Sequence, residues 1–483
     1  MRVPVVLRVL SVFLAIISIF LLMPVIVALY YREYELVRFF LIPVGVNLLL
    51  ATLLFWGLRR RGNLTLSIRG GFLFVTLAWL SASASGALPF YLSGWIPSYT
   101  DAFFETMSGF TTTGASILTE IESLPYSLLF WRSLTHWLGG MGIVVLTVAL
   151  FPLLGVGGFQ LLKAESPGPS VDKITPRITE TAKILWIIYL VLTVLETGLL
   201  MFGGMSLFDA LTHTFGTLAT GGFSPKNSSV GFYSSGYIHV VITIFMYLAG
   251  VNFILFYRLI RGDTRSILRN TEFKAYTGIL IVASLLIAID LYGSTYASFG
   301  ESLRYAGFQA ASILTTTGYA TADFAAWPSV AKITLFGLMF IGGCAGSTGG
   351  GMKVVRIVTM IKQGMNELRY LIYPRGVFRI HLNERVVRKD TVYVILGMVA
   401  LYITMLIVTS FVVATSGTDI LTSFSTALVT LGNIGPGFGL VGPTENYAFY
   451  PDYVKWFLSI IMMIGRLEIY TVLVLFTPVF WKD

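Results

Sequence analysis

Charge is scarce in this chain. Only 12% of its 483 residues are Asp, Glu, Lys or Arg, against about 25% in a soluble domain, while 55% are hydrophobic and the mean hydropathy is +0.80. An ordinary water-facing surface is thereby excluded, and the chain reads as an integral membrane protein. Cysteine is nearly absent. The one thiol, Cys344, lies in an apolar glycine-rich stretch without a second thiol or clustered histidines, which excludes a disulfide framework, an iron–sulfur site and structural zinc. His136 and His213 lack metal-ligand spacing as well. Acid is short too, and 24 Asp and Glu against 33 Lys and Arg leave a net charge of +9. In a soluble protein that balance points to nucleic acid. Here the basic residues collect in alternate loops, which is a membrane-topology signal and leaves no nucleic-acid partner.

What the chain does have is apolar runs of about 20 residues, the length that spans a hydrocarbon core. Two of them, about 5 to 30 and 37 to 57, form a prefix over residues 1–68, with a charged turn from Arg32 to Glu35 and a basic close at Arg59-Arg60-Arg61. The first is too long for a secretory signal and lacks a small-residue cleavage site, so it reads as a retained helix. Four units follow, over residues 69–158, 159–262, 263–388 and 389–483. Each reads as span, short helix, tetrad, span: about 70 to 92 then 127 to 155, 183 to 203 then 237 to 260, 275 to 296 then 331 to 360, and 391 to 415 then 453 to 479. The expected total is ten spans. Arg2, Arg8, Arg59 to Arg61, Arg69, Lys163, Lys173, Arg177, Lys183, Arg258 to Lys274, the run from Lys353 to Lys389 and Lys482 share one side; Arg32, Arg38, Arg132, Lys226, Arg304, Lys332 and Lys455 share the other. The positive-inside rule then makes both termini cytoplasmic and opens the tetrads to the outer face.

The tetrads are Thr111-Thr112-Thr113-Gly114, Ala219-Thr220-Gly221-Gly222, Thr315-Thr316-Thr317-Gly318 and Gly432-Asn433-Ile434-Gly435. A preceding helix of roughly ten residues cannot cross a core about 30 Å thick, so it enters, stops and returns. Non-helical backbone at that depth survives only where protein or water satisfies it. Four carbonyl-rich strands around one axis meet this condition by replacing the water of a cation, whose idealised desolvation costs on the order of 20 kcal/mol. Glycine lets successive carbonyls turn to one side. No tetrad carries a charged side chain, so selection falls to carbonyl dipoles and favours a weakly hydrated monovalent ion. The expected fold is therefore all-α, with four such repeats around a pseudo-fourfold pore. Counted back from the glycines, Asp101 to Glu105 aligns with Asp209 to His213, whereas the acid of the third and fourth units lies further out, at Glu301 and Asp419. Acids there cap helix N-termini or concentrate cations at the outer mouth.

Two features lie outside the repeat. The span from 331 is interrupted by Gly342-Gly343-Cys344-Ala345-Gly346-Ser347-Thr348-Gly349-Gly350-Gly351, too rich in glycine to continue as helix. It reads as a movable loop across the path or as close helix packing. Gly346 to Gly351 is no phosphate-binding loop, because Met352 holds the place of the required lysine and Lys353 comes one residue late. Arg466 is the one basic residue deep inside a span. Glu468, two positions on, points to another helix face, so the partners of Arg466 are either carbonyls of the 342–351 loop or an acid such as Glu196.

With these residues in view, the chain resembles the TrkH/KtrB superfamily of potassium translocation subunits, and the TrkH branch more closely because of its two-span prefix. The resemblance implies inward potassium conduction with K+ as the transported ion, a homodimer, a bacterial inner-membrane location, and gating by a cytosolic TrkA-like nucleotide-binding ring, with the glycine-rich loop and Arg466 as the gate. Family members with serine at the first tetrad glycine favour sodium, whereas this chain has glycine at all four closing positions. The fourth tetrad departs from the threonine pattern, so less even coordination is expected there. The basic run from Lys353 to Lys389 is a surface for anionic lipid or for the regulatory ring. No enzyme chemistry and no covalent cofactor are expected. Ion-coupled symport and a non-transporting scaffold are the alternatives.

Overall fold

A computed structural model describes residues 3–58, 66–142, 178–383 and 385–482. Among these residues it is an all-helical bundle apart from one short hairpin, His381–Leu382 paired antiparallel with Arg385–Val386. Six helices are long and apolar enough to cross a membrane: Val3–Tyr30, Tyr34–Gly57, Ile68–Leu92, Ala182–Phe202, Thr271–Leu291 and Lys389–Ala414. Two bent pairs, Gly236–Ala249 with Phe253–Ile260 and Asp452–Arg466 with Tyr470–Phe476, raise the number to eight. The two other expected spans are the second crossings of the first and third units. In the first, Tyr126–Gly140 is helical, and its expected continuation to 155 lies outside the described residues. In the third, helices Ser329–Leu338 and Val354–Ile372 flank the glycine-rich loop. Arg2, Arg59 to Arg61, Lys163, Lys173, Arg177 and the boundary at 158/159 also lie outside the described residues.

The burial pattern inverts that of a soluble protein. The long spans expose Leu49, Val194, Ile289 and Phe411, because lipid tails are as apolar as leucine and hiding these side chains brings no hydrophobic gain. Polar residues gather in the centre instead, where Thr106, Ser108, Thr217, Ser312 and Thr430 of the short helices are almost fully buried. The hydroxyls of Thr106, Thr217, Ser312 and Thr430 find backbone carbonyls inside the protein, as a hydrocarbon surround requires.

Broken second crossings are more general than the sequence indicates. A break was expected only at the third unit's glycines, yet the second crossing bends by 96° between Ala249 and Phe253 and the fourth by 113° between Arg466 and Tyr470. At the first bend Asn252 accepts the Ile254 N–H at 2.9 Å and restarts a helix, while the freed Gly250 carbonyl accepts the Cys344 N–H at 2.9 Å. The second bend contains no glycine or proline after Gly465. Glu468 and Ile469 there take left-handed backbone, φ 56° and 31°, a conformation that a β-branched residue adopts only under tertiary constraint.

Candidate functional site

The short helices are Tyr99–Phe110, Leu207–Ala219, Phe299–Leu314 and Ile420–Leu431. Their caps correct the sequence reading. Ser98, Ser206 and Ser298 accept the N–H groups of Asp101, Asp209 and Glu301, and only in the fourth helix does the acid itself cap, Asp419 accepting from Thr422. Ser-x-x-Asp/Glu is a capping-box spacing legible in the sequence. Glu301 is therefore not displaced relative to its cap; its helix has 16 residues against 12, 13 and 12, about one extra turn. Asp101 instead pairs with Lys455 at 2.6 Å. Hydrogen bonding from Thr422 holds the exposed Asp419 carboxyl below the usual carboxylate range.

Each tetrad repeats one backbone pattern. The second residue is left-handed (Thr112 φ 53°, Thr220 54°, Thr316 61°, Asn433 53°), and so is the fourth (Gly114 79°, Gly222 81°, Gly318 79°, Gly435 91°). For threonine this conformation costs about 1–3 kcal/mol, and it recurs in three of the four strands. A hydroxyl clasp spans the strained residue in two of them, Thr111 to Thr113 at 2.8 Å and Thr315 to Thr317 at 2.7 Å. In the fourth strand Asn433 Nδ2 donates to Thr113 Oγ1 and to Met462 O, each at 2.9 Å. The departures in the second tetrad have a packing cause. A Cβ on Gly221 would stand 2.5 Å from the His136 ring, which donates from Nδ1 to Gly109 O at 2.7 Å, and Ala219 packs on Gly140.

The closing glycines meet one another's neighbours in turn. A Cβ on Gly114 would lie 2.2 Å from Gly221 O, one on Gly222 2.1 Å from Thr317 O, one on Gly318 2.1 Å from Ile434 O, and one on Gly435 2.5 Å from Thr113 O. The fourth residue of each tetrad thus abuts the third-residue carbonyl of the next, and the last returns to the first. Four segments spread along the chain close one ring, in chain order. Thr111, Thr112, Thr113, Ala219, Thr220, Thr315, Thr316, Thr317, Asn433 and Ile434 are all fully buried in it.

The glycine-rich loop lies against this ring. Gly342 donates its N–H to Met352 O at 2.8 Å, which closes the loop on itself. Gly350 N–H donates to Thr316 Oγ1 at 2.7 Å, and Cβ atoms on Gly349 and Gly350 would stand 3.1 Å from Thr315 O and 2.6 Å from Gly432 O. Gly351, left-handed at φ 63°, faces Thr316 Cγ2. The outer arm is tied elsewhere: Thr348 bonds to Ala249 O through N–H and hydroxyl, Gly346 O accepts the Phe253 N–H, Gly343 O accepts the Val354 N–H, and Ser347 Oγ donates to Cys344 O. Arg466 donates at 2.7 Å to Thr348 O, Gly139 O and Gly140 O. Carbonyl partners are what the structure shows for it.

Three further anchors were not read as such from sequence. One Glu272 oxygen accepts the N–H groups of Ala345 at 2.8 Å and Val355 at 3.0 Å, holding both arms of the loop. Lys353 Nζ donates to Gly349 O, and Arg356 pairs with Glu468 inside the second bend. A buried carboxylate on a neighbouring span leaves no periodic trace, so no sequence pattern could have found Glu272.

The family model for TrkH, a cation transport protein, matches residues 39–482. The chain belongs to the TrkH family. Among similar proteins, the Trk system potassium uptake protein TrkH of Salmonella typhimurium is 42% identical over 468 residues, covering 96% of each chain. The TrkH of Escherichia coli K12 is 41% identical over the same length and coverage. The crystal structure of the potassium transporter TrkH from Vibrio parahaemolyticus matches with a TM-score of 0.88 at 36% identity, covering 100% of both chains. As a TrkH-family member, the chain is a multi-pass membrane transporter and not an enzyme.

Proposed function

We propose that this chain conducts potassium inward across the bacterial inner membrane, with residues 111–114, 219–222, 315–318 and 432–435 as its selectivity filter. The observation that carries the reading is the closed ring: four glycine-ended strands in chain order, without a charged side chain, each packed against a carbonyl of the next. Peptide oxygens brought together at membrane depth have no better partner than a dehydrated cation. The repeat division at 69, 159, 263 and 389 follows the tetrads, and the 342–351 loop with Arg466 is the gate, because it packs against the first residues of two strands and carries a positive charge beside them. Both termini are cytoplasmic by the distribution of basic residues. The working unit is a homodimer regulated by a cytosolic TrkA-like nucleotide-binding ring, and the Lys353 to Lys389 stretch is the surface offered to that ring and to anionic lipid. The membrane potential supplies about 2.3 kcal/mol per charge for each 100 mV.

Rubidium uptake by the full chain in liposomes, with and without the nucleotide-binding ring and with sodium as competitor, tests this. Uptake that follows voltage and is preferred over sodium is expected. No uptake in either condition would remove the reading, and uptake that requires an inwardly directed proton or sodium gradient would replace it with symport.

A further inference from the structure

We propose that Glu105 and Arg132 are positioning residues for ion discrimination: a charged brace behind the seam between the first and second tetrads that holds this part of the ring at the spacing of the larger alkali ion. The inference rests on the filter reading above and adds to it residues that lie outside every tetrad.

Both side chains are buried, 0% and 2% exposed, with Arg132 Nε donating to Glu105 Oε1 at 2.6 Å. Glu105 stands on the first short helix, and both its oxygens hold the strand leaving the first tetrad: Oε1 accepts from Ser116 Oγ and Oε2 from the Ile117 N–H, each at 2.9 Å. Arg132, on the following helix, reaches the strand leaving the second tetrad. Its Nη1 donates to Ser224 O at 2.9 Å, and its guanidinium lies 3.6 Å from the centre of the Phe223 ring. Every polar contact of the pair thus ends on backbone or side chains within three residues of Gly114 or Gly222. Two charges inside a membrane protein are a poor device for stability alone, since apolar residues of similar volume serve as well or better. What they supply is a short, directional, stiff link.

Beside the closing glycines the other seams are held by neutral groups, the Asp101–Lys455 pair lying at the outer start of the first short helix. Between the second and third strands Tyr319 Oη donates to His213 O at 2.9 Å and Phe223 O at 3.2 Å. Between the fourth and first, Tyr447 donates from Oη to Gly435 O at 2.7 Å and from its N–H to Ser116 O at 2.8 Å. Between the third and fourth, Phe324 and Phe438 meet edge to face at 5.4 Å. Because the brace is neutral as a pair, it adds no net charge beside the ring and acts chiefly through distance. Contraction of Gly114 towards Gly221 around a smaller ion would pull directly on it.

The experiment is rubidium uptake by the full chain in liposomes with graded sodium, comparing wild type, Glu105→Gln and Arg132→Lys. Glu105→Gln keeps the shape and loses the charge; Arg132→Lys keeps the charge and loses the fork to Ser224. The expected result is retained uptake with sodium competing about threefold to tenfold better than in wild type, more for Glu105→Gln. Unchanged discrimination in both variants overturns the proposal, as does failure of both to insert as folded protein, which would make the pair a folding element. A wild type that passes no rubidium fails the filter reading itself and is recognised before any variant is compared.

Discussion

The ring of tetrads and the loop packed against it are both glycine-rich, yet they are held in different ways. The ring is made of one backbone pattern used four times, left-handed at the second and fourth residues of each strand, and its strands support one another glycine against carbonyl. Most of its order is local and repeated. Among the described residues the loop has no counterpart in the other units. Besides backbone bonds to the neighbouring bend, it is fixed by charged side chains: Arg466 on Thr348, Glu272 on Ala345 and Val355, and Lys353 on Gly349. A structure held by repeated backbone geometry has one conformation open to it, whereas one held by a few charged side chains can be released when those contacts are exchanged.

Four measurements would break or sharpen this contrast. The largest effect is expected in the ring, where a Cβ has no room: Gly222→Ala and Gly114→Ser each place it about 2 Å from a neighbouring backbone oxygen in a left-handed position. Rubidium uptake should fall by more than about tenfold, and what remains should discriminate less against sodium; wild-type uptake and selectivity would take these glycines out of the ring's function. Next comes Arg466→Gln, which removes a positive charge and three carbonyl contacts. Uptake should rise by about tenfold with selectivity unchanged, and folded protein with no gain would leave Arg466 as a packing residue. Glu272→Ala should give a smaller rise, about twofold to fivefold, while Glu272→Gln, which keeps an acceptor oxygen, stays near wild type; equal behaviour of the two variants would deny the hydrogen-bonding role. The smallest effect is expected at Ser98→Ala, which should lower thermal stability by about 1 kcal/mol and leave sodium competition untouched, since a helix cap lies far from the strained residues.

Legibility followed the same division. The four tetrads, the short helices before them and the glycine-rich break could be read because each leaves a pattern: a repeat, a length, a density of glycine. The capping serines were legible as Ser-x-x-Asp/Glu, yet alignment on the closing glycines drew attention to the acids, and the extra turn in the third helix made Glu301 look displaced. The bends after Ala249 and Arg466 were not legible, since neither stretch carries a proline and Glu468 and Ile469 are residue types that rarely take left-handed backbone. Nor could the pairs Glu105–Arg132 and Arg356–Glu468 be read, because each acid had several candidate partners.

Composition and periodicity by themselves determined that this chain lies in a membrane, that it repeats a span, short helix and glycine turn four times, and that its third unit cannot stay helical, because these properties follow from residue type and local backbone preference. Tertiary structure alone decided that the four turns close a ring in chain order, that His136 fills the space a third-position side chain would need at Gly221, and which charges hold the loop. Those outcomes depend on which buried polar groups come within hydrogen-bonding distance once the helices have packed.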